Sequence, residues 1–560
     1  MTIMQRINWL VLATALGLIG CTPKINSSPR VIPAQFRLTT NPVPAQRQAT
    51  ADPAPGQRRP SAGTASPATQ PKSATTATAP ATAGAPDFAT ARLNSPPSPT
   101  TMPALPAFPG AQGYGAASVG GRGGRVVHVT TLKNTGPGSL SEALTGNGPR
   151  IVVFDVSGVI KGEVTLRCSN VTIAGQTAPG AGITIEGRLL NVWQNPGDPA
   201  YPKWPALHDV IIRHIRVRPP APVGSGGDCM QLTDIDRLII DHCSLSWGSD
   251  ENLDLCSTRT STVQWTTIEE SDGRRSKNDP ESFSHNFGMI TGYYSRDISI
   301  HHNLFAHQSI RAPLCGTELM DHRNNVVYNI RDGVVWHPVR MNRRRVGEKF
   351  QANVIGNYFK EGPDFHRDPT GKAYANPIIQ NSRADIYTAG ASNYFDWVGG
   401  YVLTKKPGVF EVIPTRTEPY PAVPVDTQTA TEAYELVLGG AGAFPRDAVT
   451  QRTVNEVHAG TGAWGRHDPA GGLMEGLSAG RAPQDSDNDG IPDAWELAHK
   501  LNPRDPSDGR KIVPAGASPK DRHKGYTYIE YYLNDLSDTL IARASTRPVA
   551  TAPTTQTTRP

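Results

Sequence analysis

Short apolar runs recur along the middle of the chain, each followed by polar residues rich in Asn and His. Val171–Ala174, Val210–Val217, Leu238–His242, Val263–Trp265, Ile298–Asn303, Met320–Asn325 and Ala352–Asn357 have this form, and their starts lie 39, 28, 25, 35, 22 and 32 residues apart. β-Branched residues dominate the runs, which predicts strands. No amphipathic helical pattern lies between them, so strand–helix–strand crossovers are not supported. An antiparallel sandwich could hold such strands. Irregular intervals with one repeated texture fit better a solenoid whose rungs each hold several short strands, with loops growing from one corner. The open end of such a stack needs a cap. Ser139–Leu144 follows Gly136-Pro137-Gly138 and has Glu142 in its first turn, which predicts an N-capped short helix at that place.

The texture differs on both sides. Residues 22–105 are Pro, Ala, Thr and Ser in no fixed period, with Phe36 and Phe88 as their aromatics. Such a segment cannot bury enough apolar area to offset its chain entropy, so it reads as a disordered, extended tether. The tail 541–560 reads the same way. The chain has 560 residues, 54 Gly, 50 Pro and 19% charged residues, which argues against a long coiled coil and is too much for one compact core. Its net charge of +5 is unevenly placed: residues 1–21, 22–105 and 541–560 carry +1, +6 and +3, which leaves −5 for 106–540. A mildly acidic folded part excludes an ordinary nucleic-acid binder.

Residues 1–21 read as an export signal. Arg6 precedes an apolar run from Trp9 to Ile19 that is short for a bilayer span. Leu18-Ile19-Gly20-Cys21 resembles the bacterial lipobox. The resemblance implies cleavage before Cys21, lipidation of that Cys, and a membrane contact through this anchor alone, at the outer membrane or cell surface.

Ala107–Gly115, Gly120–Gly124, Gly136–Leu140, Val153–Gly158, Thr172–Gly180 and Leu238–Trp247 resemble, in this order, the opening of pectate-lyase-type polysaccharide lyases of family 1. The likeness runs from about 106 to 365. It implies an all-β fold, a right-handed parallel β-helix over 106–415. It also implies cleavage of the acidic polysaccharide polygalacturonate by β-elimination with Ca²⁺, by a monomer. Residues 416–480 then form a partly helical extension and 481–540 a calcium-loop module.

Asp228, Asp250 and Asp254 carry the acidic candidates. Asp250 and Asp254 lie four apart on an extended strand and so face one way, and adjoining rungs bring distant residues to about 5 Å. Stacked acids repel unless a cation lies between them, and Ca²⁺ tolerates irregular oxygen ligands. In the family these three positions match the calcium acids. Glu251 is next to them and could be a ligand, but it is expected to point the other way. Asp241 and His242 match the family's Ile-Asp-His: Asp241 would support the calcium acids from behind, while His242 reads equally as structural or as a substrate contact.

Elimination requires removal of the C5 proton beside the uronate carboxylate. In the segment Ile300–Pro313, Arg311 and Pro313 match the family's Arg-x-Pro, whose Arg is assigned as base. A guanidinium normally stays protonated, so the residues also allow Arg311 as a carboxylate clamp with His307 taking the proton. Two departures stand out. The family's second Arg falls at Gly316, and its substrate Lys falls near Phe287. Substrate grip is therefore expected from Arg274, Arg275, Lys277, His285, His307 and Arg323.

Asp485–Glu496 has Asp at loop positions 1, 3, 5 and 9 (Asp485, Asp487, Asp489, Asp493), Gly490 at 6 and Glu496 at 12, the full EF-hand pattern. It resembles the calcium loops of dockerins and thrombospondin type 3 repeats, with Tyr526–Leu533 as a packed helix. Cysteines 168, 229, 243, 256 and 315 remain after Cys21, so at least one is free. Two rival functions share the fold. A polygalacturonase-type hydrolase lacks its Asn-x-Asp, Asp-Asp and Gly-His-Gly motifs here. A non-catalytic carbohydrate-binding surface β-helix, or a lyase for another uronan, stays open.

Overall fold

The computed structural model describes residues 99–192, 206–221, 227–272, 274–276, 279–292, 295–330, 334–335, 350–364, 379–380, 384–388, 394–396 and 418–545. The expected export signal with Cys21, almost all of the expected tether, Lys277 and the chain end from 546 lie outside them.

Each rung of the middle part holds three short strands, as in Ile235–Asp241, Ser244–Ser246 and Glu251–Asp254. Strands in equivalent places pair parallel from rung to rung and build a first sheet of ten strands, a second of nine and a third of eight. This is a right-handed parallel β-helix. Its interior is a set of stacked columns. Val152, Ile173, Ile212, Ile240, Val263, Ile300, His322 and Val354 lie in register across the first sheet. Each fully buried aliphatic in such a column contributes about 1.5–3 kcal/mol.

The corner between the first and second sheets explains the Asn and His texture. Here the chain turns through one residue in left-handed conformation: His214, His242, Trp265, His302, Asn324 and Gly356 have φ between 49° and 63°. The four ring-bearing residues stack rung on rung, His214 on His242 at 5.1 Å, His242 on Trp265 at 6.0 Å and Trp265 on His302 at 4.5 Å. Beside them runs an amide ladder. Asn303 donates to Asn325 at 3.0 Å and Asn325 to Asn357 at 3.1 Å, so each buried amide satisfies the next.

The helix predicted at the open end is α1, Leu140–Ala143, with Ser139 Oγ accepting from Glu142 N. Leu140 and Leu144 are buried in the solenoid core. The C-terminal part supplies α2 (Ala430–Gly440), α3 (Ala448–Ala459), α4 (Asp493–Ala498) and α5 (Tyr528–Ser545). α2 and α3 cover the second sheet through Tyr434, Val437 and Val457 against Leu304, Val326 and Tyr358. α5 covers the start of the first sheet through Ile529, Tyr532 and Leu533 against Ile151, Val153 and Ala174. Two expected boundaries shift. Ordered packing begins at Met102, which lies against the core, and α5 runs to Ser545, past the expected limit of 540. Cys168, Cys229, Cys243, Cys256 and Cys315 are all free and buried.

His322 is the polar exception in the core column. Its ring is fully buried, neither ring nitrogen has a hydrogen-bond partner, and burial lowers its pKa to about 3. The folded protein therefore holds it neutral where the unfolded chain, near 6.5, takes up a proton. Acid draws the equilibrium toward the unfolded state across that window. His322→Leu should stabilise the fold by about 1–3 kcal/mol at pH 7. Its advantage should widen by about 1.4 kcal/mol per pH unit from 6.5 down to about 3, read from denaturant melts of both proteins at several pH values.

Candidate functional site

Buried acids on the first two sheets, or packed against them as Asp447 is at the start of α3, have cationic partners. Asp241 accepts from Arg213 at 2.7 Å, Asp447 from Arg218 at 3.0 Å and Glu270 from Arg452 at 2.5 Å. The third sheet differs. Asp228 lies in the turn entering Met230–Gln231, and Asp250 in the turn entering Glu251–Asp254. Parallel pairing of those strands stacks the two turns. Asp228, Asp250 and Glu251 each present an oxygen within 4.8 Å of the others. Glu251 N donates to Asp228 Oδ1 at 3.0 Å. Arg188 reaches the Asp228 carbonyl oxygen at 2.9 Å. Burial pushes Asp228 up to about 8, with Asp254 and Asp250 adding repulsion. Three hard oxygen donors with a deficit of positive charge fit a divalent cation.

The alternation that sends Glu251 to the other face fails at the start of its strand. Asn252 turns into the corner, where Oδ1 accepts from Gly248 N at 2.9 Å and Nδ2 donates to the Glu269 carbonyl at 2.9 Å. Glu251 is left beside Asp250. Asp254 stands next to this group with both oxygens engaged, accepting from Cys256 N at 2.7 Å and Gln231 Nε2 at 3.3 Å.

Arg311 reaches the same place from the segment between Leu304–Ala306 and Leu314–Cys315. Its backbone is left-handed, with φ 70°, and its guanidinium pairs with Glu251. The guanidinium carbon lies 3.5 Å from the centroid of the Phe287 ring, so the ring found where the family has a Lys carries the Arg instead. Burial lowers Arg311 to about 10, opposed by Asp250 and Asp228. His285 completes the group. It is half exposed, lies 3.3 Å from Asp250 and stacks on Phe287 at 5.1 Å.

Other expected contacts lie elsewhere. His307 has no exposed surface: its ring is held at 3.0 Å by Asn329 and at 3.2 Å by Glu456 of α3, because it occupies a left-handed corner under that helix. It does not reach a substrate. Arg323 belongs to the first sheet and is spent on Asp321 at 2.7 Å. Asp241 and His242 are also first-sheet residues, Asp241 paired with Arg213 and His242 in the ring stack, so neither supports Asp228. Arg274 falls in the antiparallel hairpin Arg274–Ser276/Asp279–Ser284, with its side chain outside the described residues, as is Lys277.

A second acidic centre occupies the C-terminal loop. Asp485, Asp487 and Asp489 present oxygens within 4.8 Å of one another, and so do Asp489, Glu496 and Asp508. Burial pushes Glu496 up to about 8 and Asp489 to about 7, with neighbouring acids adding to it. Asp493 is turned away, accepting from Ser486 N at 2.7 Å and Ser486 Oγ at 2.8 Å. Of the acids in these two groups, Asp508 was missed by sequence reasoning and Glu251 was expected to face away. Adjacency to Asp250 was a signal for Glu251, whereas Asp508 lies outside the loop motif.

No protein-family model matches the chain. The protein of Aspergillus fumigatus (strain CBS 144.89 / FGSC A1163 / CEA10) named Probable pectate lyase C is 34% identical over 443 residues, 76% of this chain and 92% of the relative. Its counterpart in Aspergillus terreus (strain NIH 2624 / FGSC A1156) is 33% identical over 438 residues, with the same coverage. Among solved structures, the pectate lyase of Bacillus sp. N165 in complex with trigalacturonate shares 18% identity at TM-score 0.40, over 60% of this chain and 99% of that one. The cedar pollen allergen jun a 1 shares 17% at 0.35, over 60% and 92%. The identity to the curated relatives along nearly their whole length, with the parallel coil beneath it, settles the family: the chain belongs to the pectate lyases, polysaccharide lyases by activity.

Proposed function

We propose that the protein cleaves polygalacturonate by calcium-dependent β-elimination, held outside the cell by a lipid on Cys21. One observation carries the reading: Arg311 stands over Asp228, Asp250 and Glu251 on the third sheet, which the described helices leave open. Asp228, Asp250 and Glu251 would hold the calcium, whose charge would stabilise the negative charge that develops beside C5. The chain's own part is to place a proton acceptor at C5 while the C4–oxygen bond breaks and a C4–C5 double bond forms. Burial, which lowers Arg311, favours the neutral guanidine a base needs. With His307 enclosed, His285 is the imidazole in reach among the described residues. The C-terminal acidic loop binds a second calcium with a structural role.

Three measurements test this. Cleavage is read as the ultraviolet absorbance of the unsaturated product on polygalacturonate, pectin and alginate, with polygalacturonate expected to be cut fastest. Arg311→Lys should lower kcat by about 10²–10⁴-fold with little change in KM. A raised KM at near-normal kcat would make Arg311 a clamp and pass the base role to His285. Glu251→Gln should weaken calcium binding by roughly tenfold or more, and by more than Asp254→Asn, whose oxygens are already engaged. Calorimetric titration of both variants decides the order.

A further inference from the structure

We propose that Asp508, twelve residues beyond the end of the C-terminal loop motif, is a calcium ligand in the place the motif gives to Asp493. The bound ion then latches two successive turns and holds them against the first rungs of the solenoid. This deepens the calcium reading of the loop and rests on it.

The argument starts from oxygens that lack partners. Both oxygens of Glu496, which has no exposed surface, both of Asp487, Oδ2 of Asp489 and Oδ1 of Asp508 are buried with no hydrogen-bond donor. An unmade hydrogen bond on a buried charged group costs more than about 1–3 kcal/mol. With Asp485, whose Oδ1 is in the same state, five carboxylates converge and need a cation among them. Asp508 is aimed by its other oxygen, which accepts from Asn502 N at 2.8 Å. The approach of Asp489 depends on Gly509, since a Cβ there would lie 2.2 Å from Asp489 Oδ2. Asp493 has both oxygens committed to Ser486 and offers none inward.

The same turns face the solenoid on their other side. Ile491 lies in one apolar cluster with Ile151, Val153 and Ala174 of the first sheet and with Ile529 and Leu533 of α5. Asn488 contributes its carbonyl oxygen to His128 Nε2 at 3.3 Å. Gly490, at φ 89°, lies against Val126, 2.9 Å from where its Cβ would be. The Asn502–Arg510 turn adds no residue to that cluster and meets it through Gly509, where a Cβ would lie 3.2 Å from Ile491 Cδ1, and Asp508 adds a bond through the ion. All donors are hard oxygens, which selects calcium over softer-ligand metals.

The test is hydrogen exchange of the full chain, read peptide by peptide as calcium is titrated from a chelated start. In wild type, calcium should protect 485–510 and the start of α5. The calcium concentration at half-protection should rise roughly tenfold or more in Asp508→Asn and change less than about threefold in Asp493→Asn. Asn keeps the acceptor for Asn502 N, and unchanged exchange over 235–301 reports that the solenoid is folded. Asp508→Asn with a wild-type midpoint, or Asp493→Asn shifted at least as far, overturns the assignment. So does loss of protection at 235–301 in Asp508→Asn, which would make Asp508 a folding residue. If calcium protects 485–510 in no variant, wild type included, the calcium reading of the loop itself fails.

Discussion

Parallel stacking places every residue above and below its counterpart on the next rung, and the rest of the molecule follows from what tolerates that. Aliphatic residues gain from it, which makes the column from Val152 to Val354. Amides gain because each has both a donor and an acceptor, which makes the Asn303–Asn325–Asn357 ladder. Flat rings gain by stacking, which lets His and Trp hold a left-handed corner where φ alone would favour Gly. Carboxylates lose, because like charges about 5 Å apart in a buried place repel. A stacked acid therefore needs a cation, and the source of that cation separates structural acids from functional ones.

Asp241, Asp447 and Glu270 take theirs from Arg213, Arg218 and Arg452, and such pairs are sealed. Asp228 and Asp250 have no guanidinium within an ion-pair distance among the described residues, and burial, with Asp254 and Asp250 adding repulsion, pushes Asp228 up to about 8. Glu251 joins both worlds. It shares an oxygen cluster with Asp228 and Asp250 and also pairs with Arg311. One carboxylate thus ties the acidic group to the guanidinium beside it.

Much of this was legible. The first-sheet strands were visible because they are long enough to show β-branched runs, and the Asn and His that follow them are the corners. The second- and third-sheet strands were not, since three residues such as Ser244–Ser246 carry no period. Asp228, Asp250 and Arg311 were found through motif positions, and the structure brings them together. Glu251 was misplaced because period-two alternation was extended to a residue at a corner, where Asn252 breaks it. His307 and Arg323 looked like substrate contacts because a sequence does not say which of three sheets a residue joins, and in a solenoid that decides its environment. Asp493 turns to Ser486 and Asp508 joins the acidic group for a similar reason: a loop motif records spacing within twelve residues and is silent about a turn that folds back on it.

The covering elements then decide which sheet can act. α2 and α3 lie on the second sheet, while α5 and the Met102–Ala116 segment lie on the first. Each cover carries apolar residues matched to the outer face beneath it, such as Val437 over Leu304 and Ile529 over Val153. Among the described residues the third sheet sets Asp228, Asp250, Glu251 and Asp254 beside Phe287, with only the small group of Cys256, Ile290 and Leu314 as an apolar neighbour, and Phe287 is taken by Arg311. A helix laid on that surface would bury unpaired charge at several kcal/mol per group, whereas a polyanionic chain bridged by cations would not. The charge that makes the third sheet costly to cover with protein suits it to an acidic polysaccharide, and the apolar outer faces of the other two reserve them for packing.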